Sequence, residues 1–351
     1  KPGPVWQLLN EQTHGPSLIK IGTQLILDPD RHTVHYGKAM SKMYNRFAAD
    51  RERRLVLNIE ALGMEAIRSK HPDKARMLVQ AIDMARYYAF NSLHNLAQLR
   101  SAPVGTRLDR FLKQFFDVSQ IDDTLINKIK QAIVPVCTAL VDPSEDLMNT
   151  DRFVIGSNKY PGANLIAFVL DEDEQRKVHF TEKFFSQQLD WYKSSLTEPF
   201  NVDGHAQASV LIHEFAHQIC NAVDIASLEA RRPFSDLIET LTGQGIAMKN
   251  TQQTFQREAL SLATPRQELF SRWSDKQQAW IGFDQLPHMT HVSRQILDAT
   301  LSPTLNDARN AFLDQQTPHP RIETILRNAD SIAFLIGEMG RQLDPVPAIS
   351  P

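Results

Sequence analysis

Between Ser209 and Ala230 the chain reads SVLIHEFAHQICNAVDIASLEA, an apolar run carrying His-Glu-x-x-His at 213–217. That spacing restricts what the segment can be. On a helix, residues i and i+4 lie on one face about one turn apart. His213 and His217 can then aim two imidazoles at one metal ion. Glu214 can face the open coordination position and act as base on a metal-bound water. The plainer alternative is an ordinary helix with two incidental histidines, one of them paired with Glu214.

The chain is 351 residues long, enough for one large domain or two smaller ones, with a sizeable core. A formal net charge of −3 predicts no broad affinity for nucleic acid or anionic membrane. No uninterrupted apolar run approaches the length of a membrane span. The opening KPGPVWQLLNEQ has no apolar core and no initiator Met, so it does not read as a signal peptide, and the chain reads as a piece of a longer protein. Two cysteines, Cys137 and Cys220, make no disulfide framework.

SLIKIGTQLILDPDRHTVHYG alternates as a hairpin does, with its turn at Asp28-Pro29-Asp30. From Asn45 onward the pattern turns helical. Residues 73–99 put Met77, Ile82, Ala85 and Ala89 near helical spacing and predict a long amphipathic helix, broken by SAPVG. TRLDRFLKQFFDV and IDDTLINKIKQAIVPVCTAL predict two more, the second capped by Asp122 or Asp123. RFVIGSN, NLIAFVL and KVHFTEKFF predict a small antiparallel sheet, with DEDE at 171–174 as a solvated turn. The motif helix takes Asp203 as its expected cap. Residues 240–320 read as helical fragments, and 321–343 as one strongly periodic last helix before a Pro-rich tail.

A catalytic zinc takes three protein ligands and one water. A metzincin would place Gly and then His or Asp after the second histidine, where this chain has Cys220 and Val223. A thermolysin-like site takes a carboxylate about twenty residues on, which Glu239 and Asp236 fit loosely. Asp224, seven residues past His217, suits a chain that leaves the helix and turns back.

HEFAHQICNAVDIASLE, together with RNADSIAFLIGEMGR near the C-terminus, resembles the aspzincins. These are the deuterolysin-like and peptidyl-Lys metalloendopeptidases, including relatives carried by large bacterial toxins and effectors. The family has His-Glu-x-x-His, then a Gly-Thr-x-Asp-x-x-Tyr-Gly loop, then an Asn-Ala-Asp-Ser helix. AVDIAS occupies the loop and NADS, Asn328–Ser331, matches the last motif letter for letter. RFLKQFF and the strand runs resemble the family's upstream elements, so the resemblance spans roughly 75–341. It implies zinc held by His213, His217 and Asp224, Glu214 as the base, and Asp330 holding a zinc-bound imidazole or bracing the motif helix. It further implies a protein or peptide substrate and a bacterial toxin or effector secreted or translocated into a target cell.

Two departures stand out. The loop tyrosine, the family's oxyanion donor, falls at Ser227, and the Gly-Thr is missing. Losing one oxyanion donor costs on the order of 10²–10³ in turnover. His288, His291 and Tyr160 could supply another donor. Also, 105 residues lie between Asp224 and Asp330, which implies an insertion near 240–320. HMTH at 288–291 could itself bind metal but reads better as a solvated loop. Cys220 reads as a core thiol, and Glu229 with Arg231 or Arg232 as a structural pair.

The expected fold is therefore α+β, a helix-dominated zincin-like metalloprotease core with a small antiparallel sheet. A mixed leader occupies 1–72, the catalytic domain 73–345 with its insertion, and a tail 346–351. The strand near KVHFTEKFF would take substrate backbone as an edge. The expected activity is zinc-dependent peptide-bond hydrolysis. The rivals are a zinc-binding pseudoprotease acting as a protein-binding module, motivated by Ser227, and a helical interaction module.

Overall fold

The computed structural model describes residues 24–28, 33–36, 55–101, 104–158, 166–169 and 173–341. The chain divides into two compact units, one of residues 1–80 and 144–188, the other of 81–143 and 189–351. Among the described residues helices dominate, so the α+β class holds.

The first unit is built on a sheet of β1 (Gln24–Asp28), β2 (Thr33–Tyr36), β3 (Leu55–Leu62), β4 (Phe153–Asn158), β5 (Ala167–Val169) and β6 (Val178–Phe180), in the order β2-β1-β3-β4-β6-β5. The expected hairpin is present as antiparallel β1 and β2, while its turn residues 29–32 lie outside the described residues. Three expectations need correction. The sheet is not purely antiparallel, because β4 and β6 run parallel. Residues 55–62 are not part of the helical pattern expected from Asn45 onward but form β3, which pairs with β4. Nor is the KVHFTEKFF strand an edge, because β6 lies between β4 and β5.

Helix α1 (Met64–Lys70) follows β3 across Gly63, whose φ of 85° turns the chain sharply enough for its N–H to reach the Phe153 carbonyl at 2.7 Å. The apolar centre is a cascade of edge-on and tilted rings, Phe153 to Phe180 at 5.2 Å and Phe180 to Phe184 at 4.4 Å, all fully buried. Phe184 belongs to the short helix α5 (Glu182–Phe185), capped by Thr181. The acidic turn is not solvated at Asp173. Its side chain is 4 % exposed and accepts from the Gln175 and Lys177 amides and from Lys177 Nζ, all at 3.0 Å. A carboxylate that closes its own turn satisfies backbone donors and holds a buried ammonium at once. Beside it His179 is 1 % exposed and stacks on Phe168 at 4.6 Å. Neither ring nitrogen has a hydrogen-bond partner among the described residues, and burial pushes its pKa down to about 3.

Helix α2 (Pro72–Gln98) matches the expected long helix, and its residues from Ala81 onward belong to the second unit. There follow α3 (Arg107–Phe116), α4 (Asp123–Val141), α6 (Val202–Cys220), α7 (Gly243–Ala259), α8 (Thr290–Thr300), α9 (Leu305–Phe312), α10 (His319–Ile325) and α11 (Ala329–Gly340). Asp122 caps α4 by accepting from the Leu125 amide at 2.8 Å. Helix α4 is long and apolar enough by composition to cross a membrane. Here it is a core helix: Ile126, Ile129, Ile133 and Val136 are buried, and Lys128 pairs with Glu323.

The insertion is not all helical. SRWSDKQQAWIG forms a hairpin of β7 (Ser271–Ser274) and β8 (Ala279–Gly282), with Trp273 opposite Trp280 at 5.6 Å. An aromatic cross-strand pair favours the strand over the helix at these positions. Arg321, fully buried, donates to the carbonyls of Phe116, Asp117, Phe312 and Asp314 and so joins the C-terminal ends of α3 and α9.

Candidate metal centre

Helix α6 carries the motif. Its cap is not Asp203 but Asn201, which accepts from the Gly204 amide at 2.9 Å. The glycine matters: a Cβ at 204 would fall 2.4 Å from the Asn201 amide nitrogen. Asp203, in the first turn, pairs instead with Lys193 at 3.0 Å. The helix ends at Asn221 in the left-handed region, φ 52°, and the chain turns back along the motif.

That return brings the third carboxylate in. Asp224 Oδ1 lies 3.0 Å from His213 Nε2 and 3.1 Å from His217 Nε2, and the two Nε2 atoms are 3.1 Å apart. A tetrahedral zinc with bonds of about 2.0–2.1 Å needs ligand atoms roughly 3.3 Å apart. The triangle is therefore the right size, and its N, N, O donor set is one zinc accepts. It is the one such His, Cys and carboxylate cluster among the described residues.

The opposite ring nitrogens are both taken. His217 Nδ1 lies 2.7 Å from the Ala222 carbonyl, an acceptor only, so Nδ1 carries the proton. His213 Nδ1 faces Asp330 Oδ1 at 3.2 Å. With Nδ1 so engaged, each ring presents Nε2 to Asp224, and Nε2 is the nitrogen free to bind a metal once its own proton is released. The other Asp330 oxygen accepts from the amides of Leu228 at 2.6 Å and Ala230 at 3.4 Å. One carboxylate therefore braces both a histidine of α6 and the loop that carries Asp224.

The loop itself hangs on the break that splits the expected last helix. Val223 N–H donates to the Arg327 carbonyl and Ala329 N–H donates to the Val223 carbonyl, both at 2.9 Å. Backbone paired across a bridge cannot continue a helix, so α10 and α11 separate at 326–328. Asn328, fully buried, accepts from the amides of Ile225 at 3.0 Å and Ala226 at 3.2 Å. Its Nδ2 donates to the Ala226 carbonyl at 2.8 Å and to Ser331 Oγ at 2.9 Å. Asn328 organises the site, and pattern reading alone does not single it out. Its one sequence signal is that NADS interrupts a periodic run with a residue that caps and turns.

Burial would lower both histidines and raise Asp224, but their contact reverses each trend. Despite burial, the carboxylates of Asp224 and Asp330 hold His213 well above its usual pKa, and Asp224 raises His217 to about 8. The two imidazoles hold Asp224 well below the usual carboxylate range. Glu214, 5 % exposed, is raised by burial against the pull of the neighbouring imidazoles. Asp224 keeps 37 % of its side chain accessible, so the triangle is open on that side.

The remaining candidates stand elsewhere. Glu239 accepts from the amides of Leu241 and Thr242, and Asp236 pairs with Arg341, so neither joins the triangle. Ser227 is exposed, and its Oγ accepts from the Glu229 amide at 3.2 Å. His291 is exposed on α8 and His288 sits in the 3₁₀ turn before it, outside the cluster. Cys220 is half-buried, with its thiol on the Ala132 carbonyl. Glu229 accepts from Arg231 and Arg232, as expected of a structural pair. Tyr160 lies outside the described residues. No family model, curated protein or solved structure matches the chain.

Proposed function

We propose that the chain is a zinc-dependent endopeptidase. The observation that carries the reading is the convergence of His213, His217 and Asp224 into one triangle of the right size, with both Nδ1 atoms occupied. When bound, zinc supplies a coordinated water acidified to a pKa of about 7 and a Lewis acid for a carbonyl oxygen.

The protein's own groups account for the rest. His213, His217 and Asp224 would hold the ion at the end of α6 and leave the accessible side by Asp224 for substrate. Glu214 follows His213 on the helix but takes no part in the triangle, as a base rather than a ligand requires. Its burial raises its pKa, which brings a carboxylate closer to the acid–base balance useful near neutral pH. Glu214 takes a proton from the attacking water and hands it to the leaving amine. Asp330 keeps His213 in its tautomer throughout, and Asn328 keeps Asp224 in reach.

A second reading has one specific observation in its favour. At Ser227 a short, exposed hydroxyl stands where the resemblance places a phenol. A zinc-binding protein without turnover, serving as a protein-binding module, would tolerate that change. Elemental analysis tests the metal first. One zinc per chain, lost in the His213→Ala, His217→Ala double variant and in Asp224→Ala but kept in Glu239→Ala, is the expected result. Zinc retained without Asp224, or no zinc in the parent protein, would overturn the reading.

A further inference from the structure

The loop of Asp224 has a second support, farther from the triangle. His205 lies two turns before His213 on α6, 2 % exposed, with its ring against Phe234 at 4.7 Å, Phe200 at 5.4 Å and Tyr88 at 5.7 Å. Its Nε2 is 3.1 Å from the Ala230 carbonyl and 2.9 Å from the Arg232 carbonyl. Carbonyls only accept, so Nε2 carries the proton and donates to both. Burial depresses the ring's pKa to about 4, so near neutral pH it carries one proton only. Nδ1 is then an acceptor, and the Tyr88 hydroxyl donates to it at 2.8 Å.

The two carbonyls close a chain of contacts. Ala230 gives its carbonyl to His205 and its amide to Asp330 Oδ2, and Asp330 Oδ1 holds His213 Nδ1. We propose that His205, oriented by Tyr88, is a positioning residue for the metal centre: it pins the 228–232 segment so that Asp330 can hold His213. This rests on the zinc reading above. Neither side chain touches the triangle, so any effect on the metal must travel through the loop. A residue that merely filled core space would be replaceable by an apolar one. This position requires a donor at Nε2.

The test uses the full chain, with zinc ion as the probe. Its affinity is read by competition with a chelator, and amide hydrogen exchange at Leu228 and Ala230 is read in the metal-free protein. His205→Leu should weaken zinc binding by about 10- to 100-fold, the usual effect of removing support from a ligand, and speed exchange at both amides. His205→Gln, which keeps an N–H donor, should stay within about threefold of the parent on the same scale. Tyr88→Phe should shift both readouts the same way by a smaller factor, and it decides the matter if His205→Leu does not fold. Unchanged zinc affinity in a folded His205→Leu, or equal losses in the Leu and Gln variants, would overturn the proposal. If the parent itself binds no zinc, the metal reading fails, and the exchange arm still judges the anchor. Unaltered exchange at Leu228 and Ala230 would overturn it there.

Discussion

Truncating Asn328 to alanine is the most informative perturbation of the scaffold. The side chain is fully buried and makes four hydrogen bonds, to two amides, a carbonyl and a hydroxyl of the site. Each buried backbone group left without a partner costs about 1–3 kcal/mol. A water entering the vacated space would recover part of that. The net loss should be about 2–4 kcal/mol. Most of it falls on the loop that carries Asp224, so zinc must reorder that loop when it binds. A penalty of about 2 kcal/mol corresponds to roughly 30-fold in Kd. Chelator competition gives the Kd, and urea unfolding of the metal-free protein gives the global term. Asn328→Asp, which keeps the acceptor but loses the donor, should fall between the parent and the alanine variant. Zinc affinity within threefold and stability within about 0.5 kcal/mol of the parent in Asn328→Ala would refute the assigned role.

Three other outcomes follow from the geometry. Arg321→Met strips four carbonyls of their shared donor and should destabilise by at least about 3 kcal/mol, read as a shift in the urea midpoint, with zinc stoichiometry unchanged. His179, about 3 in the folded chain against an unfolded value near 6.5, binds its proton only on unfolding between those values. Stability should be full above pH 6.5 and fall toward pH 3, and His179→Phe should flatten that slope by up to about 1.4 kcal/mol per pH unit. The metal-free His217 behaves in the opposite sense. Its folded pKa of about 8 lies above the unfolded value, so its pairing with Asp224 stabilises below pH 6.5 and is lost as pH rises through 8. Zinc needs the neutral imidazole, so zinc affinity should climb across the same window, with proton release measurable by calorimetry in buffers of different ionisation enthalpy.

What could be read in advance was local. The i,i+4 spacing of His213 and His217, the cap at Asp122 and the amphipathic face of α2 are written within a few residues, and each is found in the structure. The mutual approach of the two histidines and Asp224 also needs only a short return past Asn221. What could not be read depends on partners distant in sequence. Asn328 bonds residues 102 and 103 positions away, and the bridge at Val223 splits a run whose apolar period alone predicts one helix. Likewise β4 and β6 pair in parallel, and strand composition carries no direction. Asp173 misled for another reason. An acidic run reads as solvated until the turn is seen closing on itself and burying Asp173 against Lys177. The hairpin of Trp273 and Trp280 was hidden in a Gln-rich stretch whose pairing matters more than its propensity.

In the proposed mechanism zinc would sit in the triangle and Glu214, outside it, would move the proton. Cleavage of a broad peptide library by the zinc-loaded parent and by Glu214→Gln tests this most directly, with zinc measured on the same samples. Glutamine keeps the volume of the side chain but cannot take a proton. One zinc in both proteins and cleavage reduced by about 10²- to 10⁴-fold in the variant is the expected result. Equal cleavage by parent and variant, or a parent that holds zinc yet cleaves nothing, would contradict it.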